Sequence, residues 1–230
     1  MVTRILIFDT KTTGLPRNYK KAEEDLNNYP YCLEIGAKII EINLEQINKE
    51  DNVIIKDIFS IQSLIKPIRG EERIVIHPKA QQAHGISVEE CEEDGNLIET
   101  IAFMFQGLAS SVDFIVCHNY NLQRNIMVSE LLRLGIKLIA KKGCKQFCTM
   151  LYSTPILQLP PRDIAKFPDS FKYPTINELY KYQFDEEITN KYEHDNAFNN
   201  MLATEDCLLE ILRTDDKVLS WFKREIEVLY

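Results

Sequence analysis

The stretch Ile5-Leu6-Ile7-Phe8-Asp9-Thr10-Lys11-Thr12-Thr13-Gly14-Leu15-Pro16 decides the reading of this chain. It is an apolar strand running into a turn, with a carboxylate where the apolar run stops and a cation two residues later. Side chains two apart on a strand point to the same face, so the Lys11 ammonium is expected near the Asp9 carboxylate.

Composition bounds what such a strand belongs to. At 230 residues and 45% hydrophobic content, the chain suits a single domain, 1–230, with a sizeable core. Its formal net charge of −8 repels nucleic acid, so binding to a polyanion must come from a local basic patch. Two clusters are available: Arg17, Lys20 and Lys21, and then Arg133, Lys137, Lys141, Lys142 and Lys145. The apolar run after Met1 is too short for a signal peptide, and no segment has the length of a membrane span. An intracellular protein, cytoplasmic or nuclear, not secreted and without membrane contact, is expected. The six cysteines lack paired spacing and read as free thiols. Cys144 and Cys148 have no nearby His, which argues against zinc.

Strand-like runs rich in Ile, Val and Phe cover Arg4 to Phe8, Cys32 to Ile42 and Ile58 to Lys66, with a polar loop from Arg17 to Tyr29 between the first two. From Leu97 to Leu108 apolar residues recur at helical spacing. Phe114 to Cys117 follows as a short strand, then a helix through Ile126 to Leu134 that stops at Gly135. Five prolines between Pro155 and Pro174 predict irregular chain. Helices resume at Thr175-Ile176-Asn177-Glu178, where Thr-x-x-Glu is a candidate capping box, then over 197–213 and 216–230. Strands followed by alternating strands and helices argue for a mixed sheet covered by helices.

These segments, in this order, resemble the DEDDh family of 3′-5′ exonucleases. The opening matches that family's first motif, a strand ending in Asp-x-Glu before Thr-Thr-Gly-Leu. Leu33-Glu34-Ile35-Gly36-Ala37 is similar to its second strand, and His84-Gly85-Ile86-Ser87 to its His-Gly-Ile-Thr turn. Val116-Cys117-His118-Asn119-Tyr120-Asn121-Leu122-Gln123 resembles its second motif, His-Asn-x-x-Phe-Asp. Phe147-Cys148-Thr149-Met150 and Tyr173-Pro174-Thr175-Ile176-Asn177-Glu178-Leu179-Tyr180 resemble segments of viral and cellular members, and point to a viral or mobile-element source. The resemblance implies a ribonuclease-H-like α/β fold, with a central mixed five-stranded sheet flanked by helices. It also implies a substrate pocket formed around Thr12, Thr13, Gly14, Leu15, His84 and Asn119.

The third motif, His-x-Ala-x-x-Asp, admits two registers in His194-Asp195-Asn196-Ala197-Phe198-Asn199-Asn200. Counting from His194 keeps the general base, as a relic, and puts Asn199 at the ligand position. Counting from Asp195 matches Ala197 and puts Asn200 there. The family's four acidic positions thus read Asp9, Lys11, Gln123, and Asn199 or Asn200. Two divalent ions about 4 Å apart need those carboxylates, and amides replace them poorly. The expectation is a homologue that has lost hydrolysis, without cofactor, and acts by binding a DNA or RNA 3′ end or a protein partner. The alternative is a working exonuclease using Mg²⁺ or Mn²⁺, its site rebuilt from Glu34, Asp113, Asp195, Glu205 or Asp206. A scaffolding subunit is the third reading. Locally, Asp9 reads as a turn cap, Gln123 as an exposed helical residue, His84 as a turn-fixing residue and Asn119 as a helix cap.

Overall fold

A computed structural model describes residues 2–18, 20–48, 53–69, 72–161, 163, 165–192 and 195–227. Its strands are β1 (Val2–Thr12), β2 (Cys32–Asn43), β3 (Ile55–Leu64), the two-residue β4 (Ile68–Arg69) and β5 (Glu72–Arg73), β6 (Phe114–Cys117) and β7 (Lys145–Cys148), and its helices include the short α1 (Pro78–His84), α2 (Val88–Asp94) and α7 (Ile188–Lys191). Five of them form one sheet in the order β3-β2-β1-β6-β7. The pairs β1–β2 and β2–β3 are antiparallel, whereas β1–β6 and β6–β7 are parallel. The sheet is mixed and five-stranded, as the motifs imply.

Alternation along β1 assigns its residues to two cores. Leu6 and Phe8 pack with Ile35, Ile39, Phe105 and Ile126, beneath the helices α3 (Ile98–Ser111) and α4 (Tyr120–Arg133). Ile5 and Ile7 pack on the opposite face with Ile40, Met201, Leu208 and Phe222, beneath α8 (Ala197–Thr214) and α9 (Asp216–Glu227). Asp9 continues the second series and Thr10 the first. Each apolar side chain so buried contributes about 1.5–3 kcal/mol, which holds the strand end rigidly between α4 and α8.

Gly36 sets how closely α8 approaches. It pairs with Asp9 across β1 and β2, and a Cβ there would lie 2.4 Å from the Cα of Phe198. Only glycine lets the first turn of α8 rest on β2, and that contact brings the helix to the Asp9 end of β1.

Several sequence expectations shift. β1 runs on to Thr12, and β3 starts at Ile55 and ends at Leu64. β7 escapes prediction because Lys145-Gln146-Phe147-Cys148 carries only two apolar residues. The segment from Pro155 is not wholly irregular: α5 (Thr149–Leu157) passes through Pro155 and stops two residues later, the proline forfeiting a single hydrogen bond near the helix end. Thr175 and Glu178 do form a capping box at the start of α6 (Ile176–Phe184). The last helix is described as far as Glu227, and residues 228–230 lie outside the described residues.

Candidate functional site

Three elements converge at the C-terminal end of β1. Asp9 comes from the strand, Gln123 from the first turn of α4, and Asn200 from the first turn of α8. Asp9 is 8% exposed and Gln123 6%. The Gln123 amide donates through Nε2 to Asp9 Oδ1, and its Oε1 accepts from the Thr10 hydroxyl at 2.6 Å. Asn200 lies beside the same carboxyl and acts on it to favour the charged form. Burial pushes the Asp9 carboxyl up to about 7, against the opposing pull of the Lys11 cation and of Asn200.

Lys11 is not the direct partner of Asp9. Its ammonium donates to Asp195 Oδ1 at 2.5 Å, in the segment entering α8. The shared face predicted from the strand is correct, but Asp195 presents a carboxylate that no amide already occupies. Of the two third-motif registers, the geometry brings Asn200 to Asp9. The backbone N–H of Asn199 is taken by the Asn196 side chain, which caps the helix. His194 lies outside the described residues.

Of the five carboxylates named for a rebuilt metal cage, Asp195 lies near Asp9 but is paired with Lys11, and the other four have partners of their own. Glu34 accepts from the Ala197 N–H at 2.8 Å and from Gln62 Nε2 at 2.9 Å, and so caps α8. Glu205 is buried against the Lys38 ammonium at 2.9 Å. Asp206 serves Lys191 and the Tyr192 hydroxyl. Asp113 accepts from the Arg4 N–H and from Lys141, at the start of β6 and so at the far end of the sheet. Among the described residues, no group of three His, Cys, Asp or Glu side chains is placed to hold a metal. Around Asp9 the groups do not form an open cage for a cation pair: the Gln123 amide donates to its carboxyl, and of the two carboxylates that act on it, Asp195 is held by the Lys11 ammonium and Glu34 by the Ala197 N–H and Gln62.

The turn after β1 is fixed by local bonds. Thr12 Oγ1 donates to Gly14 O, the Thr13 hydroxyl accepts from the Tyr31 N–H, and His77 N donates to Thr13 O at 2.9 Å. His84 ties its ring nitrogens to Thr12 O at 3.2 Å and to the Ile86 N–H at 3.1 Å, so it holds the turn as its local reading has it. Burial keeps its imidazole below the ordinary range. Asn119 occupies the N-cap position of α4 with φ of 65° but makes no side-chain cap, a departure from the capping expected of it. Gln123 is likewise buried rather than exposed.

Along the first turns of α4 lies a groove of about 840 Å³, lined by Leu122 and Arg124 on either side of Gln123 in the chain but not by Asp9, Gln123 or Asn200 themselves. Leu15, Arg17, Lys21, Asn119, Arg124 and Tyr173 are among the residues that line it. Leu15 is 80% exposed and Tyr173 60%, so each presents an apolar surface to the opening. Of the six sequence-derived pocket candidates, Leu15 and Asn119 line the groove, whereas Thr12, Thr13, Gly14 and His84 build its supporting turn. The second basic cluster is largely spent on structure: Arg133 stacks over Tyr31 and donates to Tyr29 O, Lys141 pairs with Asp113 and Lys145 with Glu225.

Sequence reasoning missed His118. Its Nε2 bonds to Pro174 O at 2.9 Å and its Nδ1 to the Thr149 hydroxyl at 3.0 Å, while burial lowers its imidazole to about 4. The neutral ring clamps β6, α5 and the proline-rich segment together.

The sheet order and the convergence of Asp9, Gln123 and Asn200 invite comparison with solved structures. *E. coli* exonuclease I in complex with a dT13 oligonucleotide matches with a TM-score of 0.64 at 14% identity, over 98% of this chain and 46% of that one. The same enzyme with a dA16 oligonucleotide gives 0.65 at 14% identity, over 99% and 45%. The chain shares its fold with exonuclease I. That fold is ribonuclease-H-like, and the chain spans less than half the length of exonuclease I. No family model and no curated protein matches the sequence. No described helix is long and apolar enough to cross a membrane.

Proposed function

We propose that this chain is a pseudo-exonuclease, a module that receives the 3′ end of a single strand of DNA or RNA without hydrolysing it. The observation that carries the reading is the amide hydrogen bond from Gln123 to Asp9, with Asn200 beside the same carboxyl. A carboxylate engaged by amides where the fold would need further carboxylates, with a cation close by, offers little to a divalent ion that must shed water to bind. The groove supports the binding half of the proposal. Arg17 and Lys21 bring positive charge to an acidic protein at one place, Arg124 being paired with Glu23 at 2.6 Å, and Leu15 and Tyr173 offer surfaces on which a base can rest. The similar structures hold single-stranded oligonucleotides.

Fluorescence anisotropy with labelled single strands tests binding, which should weaken steeply with salt. Incubation of a 5′-labelled strand with Mn²⁺ tests hydrolysis, and the strand should keep its length. Shortening that Asp9→Ala abolishes would refute the loss of catalysis and point to a rebuilt metal site. Failure to bind any strand would leave the fold to a protein partner or a scaffolding role.

A further inference from the structure

The groove along α4 does not end at Tyr120. It shares Tyr120, Asn121, Gln146 and Leu151 with a second cavity of about 550 Å³ that lies along β7, the edge strand of the sheet. The floor of this second cavity is Phe147 and Tyr152, and α9 supplies its wall through Lys217, Val218 and Trp221. Beyond it, Tyr152 and Lys217 are shared with a third cavity, whose lining includes Glu210, Asp215 and Asp216. The three cavities form one continuous depression whose charge changes along its length, from basic beside the turn after β1 to acidic at the junction of α8 and α9.

We infer that the second cavity is a binding track for the nucleotides upstream of the 3′ end, with Trp221 as its stacking platform and Lys217 as its phosphate contact. This rests on the reading of the first groove as a 3′-end site. Three observations support it. The track is continuous with that groove through four shared residues. Its floor and wall are aromatic, and stacking on aromatic rings is how proteins hold single strands without regard to sequence. The Trp221 ring is also positioned in advance, edge-on to Phe114 at 5.7 Å and to Phe222 at 5.0 Å, and tilted to Phe147 at 6.1 Å. A base arriving there meets a surface that needs no ordering. Charge then sets the limit of the track. Exposed Lys217 stands at the boundary, and past it Asp215 and Asp216 repel a phosphate, Glu210 being paired with Arg213 at 2.7 Å. The occupant is a single strand, because a duplex cannot present its bases to a ring in a cleft.

The sequence contains one tryptophan, so emission excited at wavelengths beyond tyrosine absorption reports on Trp221 alone. The test titrates the wild-type chain with oligothymidines of about 4 and about 12 nucleotides, lengths that span the usual range of single-strand sites. Binding is followed by anisotropy and track occupancy by Trp221 emission. The longer strand should quench Trp221 and the shorter should bind without quenching. Lys217→Glu, at an exposed position, should weaken the longer strand about tenfold and leave the shorter unchanged. Binding of the longer strand without quenching, equal quenching by both lengths, or indifference to Lys217→Glu would each overturn the track while leaving the 3′-end site standing. No binding of either length would instead overturn the 3′-end reading, and the track with it.

Discussion

Lys11 and Asp195 are separated by 184 positions in the chain, yet the ammonium of one lies 2.5 Å from the carboxylate of the other. The Lys11 side chain is 13% exposed and that of Asp195 62%, so the pair lies at the boundary between the core and solvent. Solvent screens the exposed partner, and the bridge itself is worth about 0–1 kcal/mol. Asp195→Ala should therefore cost little. Lys11→Ala has a further effect, since it removes the cation that opposes the upward shift of Asp9. Thermal unfolding of both single variants and the double variant should give a coupling below about 1 kcal/mol. A coupling several times larger would mean that the pair is far drier than its exposure indicates.

Asp9 should make stability fall as pH rises. Its carboxyl titrates near 7 in the folded chain, against 3.8 as its ordinary value, so between those values the folded state binds more protons than the unfolded one. The penalty is absent below about pH 4, grows through the window and is complete above about 7. Asp9→Asn removes it, and the variant should gain stability over wild type from pH 5 to pH 8, by up to about 4 kcal/mol if the amide finds the same partners. Urea unfolding at both pH values measures this. A difference that does not change with pH would place the titration of Asp9 elsewhere.

His118 pulls in the other direction. Its imidazole is held at about 4 by burial, below the ordinary 6.5, so the unfolded chain binds the extra proton between these values. Its contribution is full above about 6.5 and is lost as pH falls towards 4, about 3 kcal/mol in all. His118→Gln should flatten the acid limb of the stability profile, and an unchanged limb would mean that the ring stays protonated in its clamp.

Gly36→Ala should be among the most damaging small substitutions in the chain. The added methyl meets the backbone of Phe198 and Ala197, which cannot turn aside as a side chain can. Overpacking of this kind costs about 1–3 kcal/mol and should also move α8 away from Asp9. Calorimetry gives the first effect. A changed Asp9 carboxyl resonance gives the second, and full stability with an unmoved resonance would refute the close approach.

If the site is a relic, restoring its carboxylates should restore metal binding. Lys11→Glu, Gln123→Asp and Asn200→Asp together should create a Mn²⁺ site where wild type has none tighter than about millimolar. Asn199→Asp in place of Asn200→Asp should not, because Asn200 is the residue that reaches Asp9. Calorimetric titration separates the two, and equal binding by both triples would reopen the choice of register.

Much of the fold was legible because its signals are local. The apolar run before Asp9, the spacing from Leu97 to Leu108 and the Thr175–Glu178 box each lie within one element. Motif order brought Asp9 and Gln123 together with an asparagine of α8 but left Asn199 and Asn200 both open, and only the packing of α8 on β2 selects Asn200. What sequence could not show are bonds across the whole chain, such as Lys11 to Asp195, or Glu34 capping a helix that begins 163 residues later. β7 was missed because its four residues owe their extended form to pairing with β6 and hardly at all to their own preferences.

The bond from His118 to the carbonyl of Pro174 also bears on the groove. Tyr173, the preceding residue, is an exposed aromatic on the rim, in a proline-rich segment whose described residues between 158 and 175 form no helix or strand. Left to itself such a segment would lose conformational freedom each time a strand bound. Fastened at Pro174 to a core histidine, it has already lost much of that freedom when the chain folds, so less of the binding energy is consumed in ordering the rim.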